Sequence, residues 1–171
     1  MVLDMDSNIQ LMLYVIPTLL GFFLVLPIGR VLSSSLEEKL PSFSTERGRV
    51  LSGLILTCVA GFAVSIQTLW ISSKVSEGGN FCASSTVFSC DDVIGNAAYN
   101  TDPFFGIPWG GIGAAVFCVL LYLAYSTSLE PNSTWVDNYL KLGTALTFGG
   151  FLVIGLLVNY KIHIEKICQY C

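Results

Sequence analysis

Four cysteines stand where thiol chemistry is possible. Cys82 and Cys90 bracket the short polar stretch Cys82-Ala83-Ser84-Ser85-Thr86-Val87-Phe88-Ser89-Cys90, which lies between long apolar runs, and Cys168-Gln169-Tyr170-Cys171 closes the sequence. A thiolate attacks a disulfide through a mixed-disulfide intermediate, so two pairs held together can pass one bond between them. Taken alone, Cys-x-x-Cys fits a redox pair, half of a zinc site or coincidence. A four-thiolate zinc site usually joins two closely spaced pairs. Cys82 and Cys90 are eight residues apart and suit a small disulfide-closed loop better, so no metal is expected. A purely structural staple on an oxidising face stays open beside the redox reading. Cys58 and Cys118 lie inside apolar runs and read as small hydrophobes.

The elements that must position these thiols are membrane helices. The chain has 171 residues, 53% hydrophobic and 12% charged, against about one quarter charged in soluble domains, and its mean hydropathy is +0.69. This composition predicts an all-α integral membrane protein. No basic patch interleaved with aromatics points to nucleic acid. Met1 to Ser7 holds Asp4 and Asp6 but no Lys or Arg, unlike the basic start of a signal peptide. The first apolar run is therefore expected to stay in the membrane.

Four transmembrane helices are predicted, at Ile9–Ile28, Val50–Ser72, Gly106–Tyr125 and Tyr139–Tyr160. Pro17 is expected to kink the first and Pro27 to end it, and Trp70 is an expected interfacial aromatic. Residues 73–105 form a connection too long for simple packed helices. Ser89-Cys90-Asp91-Asp92 reads as a helix start, so Cys90 to Tyr99 is predicted as a short surface helix with Val93, Ile94 and Ala97 on its apolar face. Asp91 and Asp92 fit ordinary helix-start charges, and His163 and Lys166 a solvated tail. Gly106, Gly110 and Ala114, and again Ala145 and Gly149, predict close helix approach. Arg30, Lys39, Arg47 and Arg49 fill a polar linker that the positive-inside rule puts in the cytoplasm. Both termini and the cysteine loop then face outward, in a multi-pass protein of the plasma membrane. Two spans separate the cysteine pairs, so the pairs share one face in either orientation. The sequon Asn132-Ser133-Thr134 falls on the inner side and is expected to be unused.

The combination resembles the vitamin K epoxide reductase family of membrane thiol–quinone oxidoreductases. It consists of a Cys-x7-Cys loop after a span, Ser89-Cys90 within it, Phe105-Gly106-Ile107-Pro108 opening the next span, and a last span ending in Cys-x-x-Cys. The resemblance runs over residues 50–171, with residues 1–49 as an additional helix and basic linker. It implies that Cys82 and Cys90 take electrons from thiol-bearing, thioredoxin-like partner proteins. Cys168 would exchange with Cys90, and Cys171 would face a lipid quinone such as ubiquinone or menaquinone. It also implies that Asp102 and Phe105 lie near the quinone head group. In the family the Cys-x-x-Cys opens a further helix; Cys171 is the last residue of this sequence, which reads as a truncated stretch or as loss of that helix. The rival reading is a non-catalytic subunit of a larger membrane complex whose cysteines are staples.

Overall fold

The structure, a computed structural model, describes residues 7–34, 41–78 and 93–164. Among these the chain is all-helical apart from one isolated bridge between Thr101 and Pro108. The helices are α1 (Ser7–Val25), α2 (Gly29–Ser34), α3 (Glu46–Ser76), α4 (Ala97–Asn100), α5 (Trp109–Leu129) and α6 (Val136–Ile164), with a 3-10 turn at Pro41–Ser44.

A span needs roughly 20 apolar residues to cross the hydrocarbon core. Three helices are long and apolar enough, over Glu46–Ser76, Trp109–Leu129 and Val136–Asn159, while Met12–Val25 is a shorter apolar helix. The apolar side chains these helices leave exposed, among them Phe148, Phe151 and Leu152 on α6, are those of a membrane protein whose outer surface meets lipid.

Several boundaries differ from those the hydropathy predicts. The first helix stops at Val25 and a turn over 26–28 leads into α2, because Pro27 cannot continue the ladder. The second starts earlier, at Glu46, since Thr45 caps it by accepting a hydrogen bond from the Gly48 amide. This draws Arg47 and Arg49 out of the expected linker and into α3. Arg49 is only 2% exposed. Its Nη1 donates to the Leu24 and Leu26 carbonyls where α1 ends, the second of which also accepts the Gly29 amide. Glu46 joins Arg30 at 2.7 Å and Arg49 at 3.8 Å, so an ion pair ties α2 to the first turn of α3.

α3 is the centre of the bundle, with α1 packed along one side and α5 along the other. Gly21 and Gly53 make the first contact possible: a Cβ on either would lie 2.7 Å from the other's carbonyl oxygen. Gly110 and Gly113 do the same for α5. A Cβ on Gly110 would lie 2.5 Å from Thr68 Oγ1, and one on Gly113 would lie 2.7 Å from Ser65 Oγ. α6 runs antiparallel to α5, with Gly143 beside Leu120 and Leu123, and Tyr139 beside Tyr122. It packs far more thinly than α3 does.

Candidate functional site

Cys82, Cys90, Cys168 and Cys171 lie outside the described residues, as do Ser89, Asp91, Asp92 and Lys166. What the structure does show is the end of the bundle from which the segments bearing those cysteines depart. Val93 and Ile94 are helical and buried against Ile71, with Tyr14 and Val75 packed on the cluster. The chain then bends at Gly95 and Asn96 before α4, so the expected surface helix through Tyr99 is interrupted. Burial of Val93 and Ile94 accounts for the break: these side chains anchor into the bundle instead of lying along its surface. Asn100 Nδ2 donates to Ser72 Oγ at 2.9 Å and ties the segment to α3.

From Asn100 the chain folds into a tight loop before α5. Asp102 is its organiser. Its Oδ1 accepts the Phe104 and Phe105 amides at 2.8 and 2.9 Å, and its Oδ2 accepts the Ile107 amide at 2.9 Å. The Asp102 amide donates to the Ile107 carbonyl and the Gly106 amide to the Asp102 carbonyl. Gly106 sits at φ +67°, a conformation glycine adopts readily. This explains why α5 begins at Trp109, with Pro108 as its N-cap, instead of at Gly106. The carboxyl group is held below its ordinary value of 3.8, chiefly by the Phe105 amide, with burial opposing and the Ile107 and Phe104 amides assisting. Asp102 is 6% exposed, whereas Phe105 is 83% exposed. The acid is committed to backbone, and the ring points away from the protein.

Beneath this loop, α3, α5 and α6 diverge around an apolar cavity of about 650 Å³. Gly61, Ser65 and Thr68 are among the residues that wall it from α3, Trp109, Gly113 and Phe117 from α5, and Ala145, Gly149, Gly150 and Leu157 from α6, while Val93, Ile94, Tyr99 and Asn100 roof it. Neither Asp102 nor Phe105 lines it, but the loop they form joins Asn100 to Trp109, which both do. Ala145 and Gly149, read from sequence as a close-approach pair, serve here as cavity wall. A Cβ at Gly149 or Gly150 would meet nothing within 4 Å. Ser65 donates to the Gly61 carbonyl and Thr68 to the Ser65 carbonyl, so their hydroxyls are turned back onto their own helix. Trp109 Nε1 is buried without a hydrogen-bond partner among the described residues. The sequence signal for Trp109 is an indole at the first helical position, whose N–H requires an acceptor once buried.

Cys58 is buried and Cys118 exposed, both as free thiols. No cluster of three or more metal-ligating side chains occurs among the described residues. The arrangement can hold a flat, largely apolar molecule with a polar edge at one end of the bundle. Compared with known proteins, the model of the vitamin K epoxide reductase family matches residues 53–171, well over half of the chain. No curated protein and no solved structure matches it.

Proposed function

The chain belongs to the vitamin K epoxide reductase family, whose general activity is thiol–disulfide and quinone oxidoreduction in membranes, and we propose that it oxidises protein dithiols and delivers their electrons to a lipid quinone. The observation that carries this reading is the apolar cavity between α3, α5 and α6, roofed by the segment that begins three residues after Cys90. Its size falls in the range of small-molecule sites, which are mostly apolar with few polar groups. A quinone of the ubiquinone or menaquinone type fits that chemistry and supplies an acceptor for two electrons and two protons.

In this proposal the four cysteines form a relay. A thioredoxin-like partner's dithiol reduces the Cys82–Cys90 disulfide and leaves as a disulfide itself. The Cys90 thiolate attacks Cys168 of the Cys168–Cys171 disulfide, forming a Cys90–Cys168 bond and releasing Cys171 as thiolate. Cys82 then attacks Cys90, restoring the first disulfide and freeing Cys168. The Cys168–Cys171 dithiol passes two electrons and two protons onward, and its own disulfide re-forms. Chain length supports the meeting. Extended backbone covers at most about 3.6 Å per residue, Cys90 precedes Val93 by three residues, and Cys168 follows the end of α6 by four. Leu157, late in α6, lines the same cavity as Val93, so both tethers start from one end of the bundle.

Residues 50–171 are assigned as the catalytic unit, and residues 1–49 as an added helix and basic linker. α1 acts as a fourth span, and the cysteine-bearing end faces outward across the plasma membrane. Asp102 and Phe105 frame the quinone's access to the cavity. The test is turnover in proteoliposomes, with dithiol and a short-chain quinone supplied together. Wild type oxidises the dithiol only when quinone is present, and each of Cys82→Ser, Cys90→Ser, Cys168→Ser and Cys171→Ser abolishes steady-state turnover. Quinone-independent or absent turnover in the wild type overturns the proposal.

A further inference from the structure

We propose that the Trp109 indole N–H is the hydrogen-bond donor that holds one carbonyl oxygen of the bound quinone. The inference rests on the quinone reading above and adds to it a named polar contact. Its basis is an imbalance in the cavity wall. Trp109 lines the cavity, and its Nε1 is the one buried side-chain polar atom without a hydrogen-bond partner among the described residues. Nearly all buried donors are satisfied in native proteins, and an exception calls for an explanation. The neighbouring wall does not provide one. The Ser65 and Thr68 hydroxyl oxygens and the Asn100 amide oxygen can accept, but none of them lies within hydrogen-bond reach of Nε1. Water is a poor guest in a mostly apolar space, because it needs two to four polar partners to be held.

An acceptor carried on an apolar ring satisfies both conditions. It completes the indole hydrogen bond and fills the rest of the cavity with carbon. Trp109 is the first residue of α5 and so stands at the cavity's loop end, below the Asp102 turn. The donor is therefore at the end of the bundle from which the cysteine-bearing segments leave, where the reacting head group must sit. An indole N–H donates but cannot accept, so the site favours a carbonyl over a hydroxyl that has to donate at the same position. Trp109 is in this account a substrate-binding residue that orients the oxidised ring.

The experiment uses the full chain in nanodiscs with a short-chain benzoquinone carrying 13C at its carbonyl carbons, read by infrared difference spectroscopy against unlabelled quinone. In wild type, one isotope-sensitive carbonyl band lies below its position in apolar solvent, and Trp109→Phe returns it to that position. Trp109→Phe also raises the quinone KM by roughly 5- to 10-fold, the usual worth of one hydrogen bond, without changing the dithiol KM. A lipid ester carbonyl occupying the indole instead would leave the labelled band at its free position and overturn the inference, as would an unchanged quinone KM. If Trp109→Phe fails to fold, the wild-type spectrum alone decides. An active wild type with an unshifted labelled band removes this inference and leaves the function standing. A wild type without quinone-dependent turnover removes both.

Discussion

Filling the cavity from α6 without disturbing any packed surface is the most informative perturbation of the account. Gly150 lines the cavity and is half-buried, and a Cβ there would meet nothing within 4 Å. Gly150→Leu thus adds side chain into open space. Its four carbons take of order 100 Å³ if each needs about as much room as a liquid water molecule, a substantial part of the roughly 650 Å³ present. A guest forced to share that space meets an overpacked site, at a penalty of about 1–3 kcal/mol. That corresponds to a roughly 5- to 150-fold rise in quinone KM. The helix itself should not weaken, since leucine is a better helix former than glycine. Gly155 provides the control. It is on the same helix, equally unobstructed, and not part of the cavity wall, so Gly155→Leu is expected to leave quinone kinetics unchanged. The assay is dithiol oxidation at varied quinone in proteoliposomes. A quinone KM within twofold of wild type for Gly150→Leu, or equal losses in both variants, refutes the cavity as the quinone site.

Further expectations follow from single contacts. Arg49→Met removes a buried guanidinium from the Leu24 and Leu26 carbonyls and should lower unfolding free energy in detergent by about 2–4 kcal/mol, with new proteolysis near Pro27. Gly53→Ala pushes a methyl to 2.7 Å from the Gly21 carbonyl oxygen and should destabilise by about 1–3 kcal/mol; cross-linking between engineered cysteines on α1 and α3 would report the separation. Asp102→Ala should speed amide hydrogen exchange at Phe104, Phe105 and Ile107 by tenfold or more, since all three donate to its carboxylate. The wild-type carboxyl is held below 3.8, so its contribution to loop stability is fully present above that pH. It is lost as pH falls through the lowered folded value. Exchange at those amides should therefore accelerate in acid in wild type and show no such acid step in Asp102→Ala.

The chemistry of this chain is more legible in its sequence than the space that chemistry needs. Cysteine pairs and apolar runs are local features, so the spacing of Cys82, Cys90, Cys168 and Cys171, the spanning helices and the family resemblance can be read residue by residue. A cavity depends on where helices separate, and the same small residues serve contact and separation alike. Gly110 brings α5 onto α3, whereas Gly149 borders empty space. Hydropathy also misplaces polar side chains that find partners. Arg49 reads as one more cytoplasmic charge until the end of α1 supplies two carbonyls for it. The three backbone amides that Asp102 accepts are equally invisible in the sequence. Helix starts shift for the same reason: the positive φ of Gly106 and the cap at Pro108 belong to the loop that Asp102 closes.

The proposed relay requires the two cysteine pairs to exchange a bond at one membrane face. Cys82→Ser combined with Cys171→Ser leaves each pair a single thiol in the relay, so mass mapping of this variant under non-reducing conditions is the direct test. The expected result under oxidising conditions is a Cys90–Cys168 disulfide that forms in the intact membrane and disappears with mild reductant. Recovery of Cys90 and Cys168 as unlinked thiols under oxidising conditions would contradict it.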